Sequence, residues 1–258
     1  NLTGGGNVAV GTDSLQAATT GSQSVAIGDS ALYNASTGAQ NTAVGYASLY
    51  NNAGTGNSAL GWYAGIGCSS GSYNVAIGIS SLRNAGAVHS CSNNVAIGTD
   101  SMYSPNTISG GDNVGIGRTT FANLSTGSDN VAIGRLSANL TTTGLYNVCV
   151  GLSAGRAIST ASRNVAIGVD CLGNQANEVQ GSANIAIGNT ALYSSNIISG
   201  ANNTGIGEDV MRNLSSGNDN NAIGRLAGNK ITTGAQNSMI GTAAGRNITT
   251  GQYNIAIG

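Results

Sequence analysis

Residue types that could perform catalysis are few in this 258-residue chain, and they do not form a catalytic set. Gly151–Gly155 reads Gly-Leu-Ser-Ala-Gly and matches the Gly-X-Ser-X-Gly pattern of hydrolase nucleophiles. The corresponding residues at Gly61–Gly65 and Gly241–Gly245 lack the serine, so Ser153 is one choice at a small-residue position. His89 is the only histidine, which leaves no Ser-His-Asp arrangement. We therefore expect neither enzymatic activity nor a bound cofactor.

Paired carboxylates are a second catalytic signal, because glycosidases use two of them. Asp112 and Asp129 hold equivalent positions in successive repeats, which would place them about 4.8 Å apart in stacked coils. Arg118 and Arg135 recur in the same way, each directly after a glycine. A solvated charged face with compensation between coils is the favoured interpretation. A weak cation site at Asp112 and Asp129 is the alternative, and no other metal site is expected.

The four cysteines are consistent with an oxidising location. Cys149 and Cys171 occupy small-residue positions within the repeat, so we expect packed thiols there. Cys68 and Cys91 lie in turn segments of neighbouring repeats and are the candidate disulfide. That pairing requires their Cα atoms to come within about 7 Å of each other.

Glycosylation sequons recur in one polar turn of the repeat, where an attached glycan would be exposed. The repeat itself generates the Asn-X-Ser/Thr pattern, so occupancy depends on a host that glycosylates. The candidate residues are Asn34, Asn123, Asn139, Asn213 and Asn247.

Aromatic residues are the best candidates for recognition. Tyr46 and Trp62 each follow a repeat glycine in successive repeats, and Tyr63 is adjacent to Trp62. Tyr33 and Tyr50 occupy another shared position. Aromatic faces stacked on an exposed edge suit sugar rings. A hydrophobic seam between chains, or a ladder that stabilises the edge, is the structural alternative.

These residues are positioned by a short sequence repeat, typified by Asn74–Gly78, which reads Asn-Val-Ala-Ile-Gly and occurs fifteen times in variant forms. The steps between its closing glycines are 16 to 20 residues long, and this period is typical of a solenoid. We predict an all-β fold, a parallel β-solenoid or β-roll of about fifteen coils. Residues 1–258 would form one solenoid segment, part of a longer chain.

The spacing also shows an internal duplication within this segment. Residues 79–168 align without a gap to residues 169–258, which indicates that a block of five coils was copied. Residues 1–78 keep the coil motif but contain no Lys or Arg. We interpret this as a change of surface within one solenoid.

Each coil can be interpreted from its residue pattern. Side chains alternate between faces along a strand, so the second and fourth residues of the motif share one face and the alanine takes the other. We expect the aliphatic residue to fill the interior, the asparagines to form a ladder, and the glycine to allow positive φ at a corner. The following Ala-Leu pair, for example Ala31 and Leu32, predicts a second, shorter strand.

An inward aliphatic column would leave the alanine column pointing outward, although it contains no polar residue. An apolar strip on a soluble chain needs a partner to cover it, so we expect several copies to associate along it. Its members are Ala9, Ala26, Ala43, Ala59, Ala76, Ala96, Gly115, Ala132, Cys149, Ala166, Ala186, Gly205, Ala222, Met239 and Ala256.

Composition excludes two classes of partner. Charged residues make up 7% of the chain and the net charge is −1, which gives no basic surface for nucleic acid. No apolar run approaches the roughly 20 residues needed to span a bilayer, so we expect no membrane insertion.

The coil motif with its following Ala-Leu is similar to the head repeats of trimeric autotransporter adhesins. The 17-residue version with Thr-Gly before the asparagine resembles even more the repeats of tail-fibre proteins in phages, large viruses and some bacteria. The resemblance covers residues 7–258. It implies a left-handed β-roll, a homotrimer along the fibre axis, and an extracellular location on a cell or virion surface. The partner would be a glycan or protein receptor.

We therefore expect a structural segment of an attachment fibre, a rigid rod in a viral or phage tail fibre or a bacterial adhesin. The alternative is a module whose lateral surface itself binds a receptor glycan. A β-solenoid glycosidase or lyase is less well supported, because carboxylates are sparse.

Overall fold

The computed structural model describes residues 4–17, 19–67, 69–84, 90–173 and 178–258. The regular structure of these residues is fifteen three-residue β-strands, with no helix. The chain divides into two compact units, Asn1–Asp129 and Asn130–Gly258, and each is described by itself.

Both units are stacks of parallel strands that follow the order of the sequence. In the first unit the strands are β1 Val8–Val10, β2 Val25–Ile27, β3 Thr42–Val44, β4 Ser58–Leu60, β5 Val75–Ile77, β6 Val95–Ile97 and β7 Val114–Ile116. In the second unit they are β8 Val131–Ile133, β9 Val148–Val150, β10 Val165–Ile167, β11 Ile185–Ile187, β12 Thr204–Ile206, β13 Asn221–Ile223, β14 Ser238–Ile240 and β15 Ile255–Ile257.

The register confirms the parallel β-solenoid predicted from the repeat. Each strand pairs with the next at equivalent positions of the motif, as Ala26 does with Ala43. The register is kept in the 20-residue step, where Ala166 pairs with Ala186. The extra residues of the longer coils therefore lie in the turns and leave the stack of strands undisturbed.

The orientation of the two faces of each strand is the reverse of the one predicted from the sequence. Alternation is confirmed, but the alanine column points into the coil: Ala26, Ala96 and Ala166 are fully buried. The aliphatic column points outward, and Ile27 and Ile167 are 40% and 39% exposed. The buried members of the alanine column are Ala26, Ala43, Ala59, Ala76, Ala96, Gly115, Ala132, Cys149, Ala166, Ala186, Gly205, Ala222 and Met239.

Ala9 and Ala256 are the two members of the alanine column that retain exposure, and they lie in β1 and β15, where the stack ends. The prediction that the alanine column is an association strip is therefore wrong, because a single chain already buries it.

The narrow interior explains why alanine lies inside. A Cβ atom added to Gly205 would overlap Cδ1 of Leu192 and would lie 3.1 Å from Cγ1 of Val210. When the facing residues are large, the interior therefore has room for a glycine or an alanine at this strand position. A branched aliphatic side chain does not fit there, so the strand turns its Val and Ile side chains to the outside.

The sizes of facing interior residues are complementary. Most coils place Leu, Met or Phe opposite a small strand residue, and Phe121 and Leu172 are fully buried. Where the strand carries Met239, the facing position is Gly245, and a Cβ atom there would lie 2.7 Å from Cγ of Met239. Large residues on one wall are thus matched by small residues on the other, as a close-packed core requires.

The predicted second strand is absent from the described residues, because the Ala-Leu segment forms turns. Leu32, Leu49 and Leu82 have φ values of 50°, 49° and 46°, in the left-handed region, which no strand adopts. The segment still bonds between coils: the Leu32 amide donates to the Ser48 carbonyl at 3.0 Å. The positive φ directs the leucine side chain into the narrow interior.

The closing glycine of the motif is confirmed as a corner residue. Its φ is positive in every coil, for example 132° at Gly28 and 131° at Gly45. A Cβ atom on Gly28 would also lie only 2.6 Å from the carbonyl oxygen of Gly45 in the next coil. Glycine is therefore required here for two reasons: the backbone has a positive φ, and the backbone of the next coil leaves no room for a Cβ atom.

The predicted asparagine ladder is present in both units. Asn203 is fully buried, and its Oδ1 accepts from the backbone amide and Nδ2 of Asn220 at 3.1 and 2.9 Å. Its Nδ2 donates to the Gly217 carbonyl at 2.9 Å and to Oδ1 of Asn184 at 3.1 Å. The Asn203 side chain therefore bonds to both neighbouring coils and leaves none of its own polar atoms unsatisfied.

Ser24, the one exception in the asparagine column, keeps the ladder continuous. Its backbone amide donates to Oδ1 of Asn7 at 2.9 Å, and its hydroxyl accepts from the Asn41 amide at 3.1 Å. The asparagine column thus requires a hydrogen-bond acceptor at the same position of every coil, and in this coil the Ser24 hydroxyl supplies it.

Replacing a ladder asparagine should destabilise the solenoid. Asn203→Ala leaves the amide of Asn220 and the carbonyl of Gly217 buried without their partner, which costs about 2–4 kcal/mol. Urea unfolding followed by circular dichroism measures this cost, and the exposed Asn189→Ala is the control. Equal unfolding midpoints for the two variants would contradict the role of the ladder.

A pair of adjacent substitutions in β10 tests which face lies inside. Ala166→Leu should lower the free energy of unfolding by about 1–3 kcal/mol, because the narrow interior is overpacked. Ile167→Val should change it less, because it removes one methyl group from a side chain that lies outside the coil interior. The same unfolding measurement distinguishes them, and the reverse order would show that the aliphatic column lies inside.

Candidate functional site

An aromatic cluster lies on the side of the first unit, formed by Tyr46, Trp62, Tyr63, Tyr33 and Tyr50. The Tyr46 and Trp62 rings are stacked with centroids 6.4 Å apart, and Trp62 is 4.0 Å from Tyr63. Tyr46 meets Tyr63 edge to face at 5.4 Å. Tyr33 and Tyr50 stack at 4.9 Å with an interplanar angle of 4°. The structure thus brings all five candidates together in neighbouring coils.

The repeat determines where these rings lie. Tyr46 and Trp62 directly follow the corner glycines Gly45 and Gly61, so their rings emerge where the chain leaves the strand. They are 43% and 47% exposed. Tyr63 has a φ of 56°, in the left-handed region. One coil step separates the Tyr46 and Trp62 positions, which is why their rings stack.

The cluster borders a cleft of about 300 Å³. Three tyrosines and one serine, all of which carry a hydroxyl group, are among the residues that line it. The lining residues are Ser30, Tyr46, Ala47, Tyr50, Tyr63 and Ile66. The cleft therefore combines apolar ring surface with groups that donate and accept hydrogen bonds.

The polar groups around the cleft have defined partners. A side-chain hydrogen bond with Tyr63 raises the pKa of the Tyr46 hydroxyl above its usual value. Ser30 donates to Asp29 Oδ1 at 2.8 Å. The positive charge of Arg83 lies 4.8 Å from the centre of the Tyr63 ring, a cation–π distance.

Arg83 and its neighbour Tyr103 were not among the residues singled out from the sequence. Arg83 also contacts the Tyr103 ring at 5.7 Å and donates to the Ser80 hydroxyl at 3.2 Å. Both residues stand five positions after a corner glycine, exactly as Tyr33 and Tyr50 do. Aligning the coils on that glycine would have revealed this side-chain column.

The second surface of interest is the outward face of the strands, which we call the aliphatic face. Its exposed fraction is 51% at Leu60, 43% at Ile223 and 51% at Ile240. In the first unit it comprises Val10, Ile27, Val44, Leu60, Ile77, Ile97 and Ile116. In the second it comprises Ile133, Val150, Ile167, Ile187, Ile206, Ile223, Ile240 and Ile257. Valine or isoleucine two residues earlier widens it in most coils.

The described residues around the catalytic candidates form no reactive set. Ser153 is only 7% exposed, in a turn, and His89 lies outside the described residues. Asp112 and Asp129 are both exposed, at the same position of successive coils. No group of three or more His, Cys, Asp or Glu within the described ranges could hold a metal ion. A cation at the two aspartates would need ligands from elsewhere, and this site stays a prediction.

The cysteines differ in their surroundings. Cys149 and Cys171 are fully buried free thiols, as expected from their positions in the repeat. Burial raises the pKa of both thiols, that of Cys171 to about 12. Cys91 is buried too, but Cys68 lies outside the described residues, so the disulfide between them stays a prediction.

The five sequons are not equally accessible. Asn34 and Asn247 are exposed, and Asn123 is partly buried. The Asn213 side chain donates to the Asn229 carbonyl at 2.8 Å, a bond that a glycan on this nitrogen would disturb. Asn139 is only 8% exposed, which leaves no room for a glycan on the folded chain.

Burial of Cys149 and Cys171 makes a residue-specific prediction. Alkylating reagents attack the thiolate, and the raised pKa of each thiol keeps it protonated near pH 9, where an ordinary cysteine is ionised. Iodoacetamide at that pH should therefore leave both residues unmodified in the folded protein and modify both in urea. Peptide mass spectrometry reads each site separately, and rapid labelling of the folded chain would contradict their burial.

No helix within the described ranges is long and apolar enough to cross a membrane. Comparison with known proteins gives no matching family model, no matching curated protein and no matching solved structure. The geometry of the coil and its two surfaces must therefore carry the functional argument.

Proposed function

We propose that this chain is a structural segment of an extracellular attachment fibre, of the viral or phage tail-fibre or bacterial adhesin type. In this proposal three copies pack side by side through their aliphatic faces, and the fibre displays or performs attachment to a cell. The segment itself needs no catalysis and no cofactor for that role.

The single observation that carries the proposal is the outward orientation of the aliphatic column. Every described strand presents Val, Ile or Leu at its third residue on the outside of the coil. A continuous apolar stripe of this kind is unusual on a soluble monomer and favours a covering partner. In a single chain it would expose exactly the side chains that best suit a buried β surface.

A second copy of the same chain is the partner that fits this stripe best. The stripe has the repeat of the coil, about one strand spacing, and an identical chain has the same repeat. When the copies pack in register around an axis parallel to the stack of coils, the same contact between copies recurs at every coil. The number three and the left-handed hand rest on the resemblance to trimeric fibre repeats.

The asparagine ladder supports a mechanical role. It bonds each coil to the next through buried side chains, in addition to the backbone bonds between strands. A segment held in this way transmits force along its stack without a large globular core. A cell-surface or virion-surface location follows from that role.

Charge placed on the aliphatic face should abolish assembly. Ile187→Arg would bring several unpaired charges together near the axis, and we expect about a hundredfold weaker association or more. Sedimentation velocity should give close to three times the 25.3 kDa chain mass for the wild type, and one chain mass for the variant.

Ser216→Arg is the matched control, because it adds the same charge to an exposed turn. It should assemble like the wild type. A monomeric wild type, or an Ile187→Arg variant that assembles normally, would refute packing through this face.

A further inference from the structure

We infer that the cleft beside the aromatic cluster is a binding site for a neutral saccharide, with a pyranose ring against the rings of Tyr46, Trp62 and Tyr63. The inference deepens the proposed function by naming a receptor class, and it rests on that proposal only for its biological role. Binding itself is a property of the folded chain and is tested separately.

The rings offer the surface that a sugar needs. A pyranose has a face of C–H groups, and the electron-rich face of an aromatic ring attracts their slightly positive hydrogens. Tyr46 and Trp62 keep nearly half of their surface in solvent although they touch each other. The two rings are stacked with an interplanar angle of 21°, so each covers part of one face of the other. The surface that they leave exposed, which we call the platform, is what they offer to a sugar.

The cleft supplies polar groups next to that platform. Hydroxyls of Tyr46, Tyr50 and Tyr63 belong to residues of its wall, with Ser30 beside them. Each hydroxyl both donates and accepts, as sugar hydroxyls do. Ring surface combined with a few fixed polar groups is the usual composition of a small-ligand site.

A second cleft, of about 250 Å³, lies in the second unit and is lined by Tyr193, Ser195, Arg212, Asn213 and Asn229. It shares with the first cleft the coil position of Tyr50 and Ile66, five residues after a corner glycine, but its lining includes no residue at the positions of Tyr46 and Tyr63. Three aromatic residues therefore line the first cleft, whereas one lines the second.

The positions of the platform residues support the same conclusion. Directly after the corner glycine, other coils carry residues as different as Thr12, Ile79 and Arg118 in place of Tyr46 and Trp62. The fold therefore accepts many residue types at this position and does not require a ring. The aromatic rings in adjacent coils are thus a local addition to the coil, and we take their clustering as the mark of a ligand site.

The surrounding charges favour a neutral sugar over an acidic one. Arg83 is the cation that contacts the cluster, and it is already engaged by the Tyr63 and Tyr103 rings and by the Ser80 hydroxyl. On the other side Asp29 places a negative charge beside Ser30. A sialic acid or sulfated sugar would meet that carboxylate without gaining a free cation.

The experiment uses the intrinsic fluorescence of Trp62, which is the only tryptophan of the chain. Maltotriose, cellotriose, lactose and triacetylchitotriose are titrated to millimolar concentrations into the wild-type protein. A ring on the platform changes the environment of Trp62 directly, so we expect a saturable change in emission with at least one probe. No change with any of the four would overturn the inference.

Variants connect that signal to the cleft. Tyr46→Ala and Tyr63→Ala should each weaken binding by about tenfold. Tyr146→Ala removes an exposed tyrosine of the second unit and should bind like the wild type. Unchanged affinity in both cleft variants would overturn the inference.

Quenching by acrylamide tests whether the cluster is instead a seam between chains. Trp62 of the assembled wild type should be as accessible to acrylamide as Trp62 of the monomeric Ile187→Arg variant. Protection in the assembly alone would overturn the inference.

Assembly without sugar binding would refute this site only, whereas sugar binding by a monomeric wild type would refute the trimeric fibre only.

Discussion

The asparagine ladder is the interaction on which the rest of the structure depends. A backbone that turns every few residues leaves many polar groups inside, and each must find a partner. One asparagine per coil supplies an acceptor to the next coil and donors to carbonyls on both sides, as Asn237 does with Asn220 and Gly251. Because these bonds recur at one height, every coil must stack in the same register. The strands, the glycine corners and the columns of surface side chains therefore repeat in the same register.

The ladder and the glycine corners together set a narrow interior, and the narrow interior determines the surface. The strand contributes alanine-sized residues and the turns contribute the larger ones, such as Phe121 and Leu124, so Val and Ile of the strand have no place inside. They are placed on the outer face, where another chain can cover them. The apolar outer surface is therefore a consequence of core size.

Much of the fold could be predicted from the sequence, because the period, the asparagine column and the glycine column each correspond to one structural requirement. The inward face could not, since alternation gives two faces and here both are apolar. A partial signal was present: the coil with Met239 on the strand has Gly245 where most coils have Leu, Met or Phe, as expected for residues in contact. The coils with Gly65 and Gly228 weaken it, because their strand residue is also small. For the aromatic cluster, the five tyrosine and tryptophan positions were found, but Arg83 was missed because its column contains mixed residue types.

The central claim is that copies of this chain pack through the aliphatic face, and an electron cryomicroscopy structure of the purified assembly tests it most directly. The account predicts three solenoids around one axis, with Ile167 and Ile187 of each copy facing that axis. A structure in which the aliphatic face remains in solvent, or in which copies meet through another surface, would contradict it.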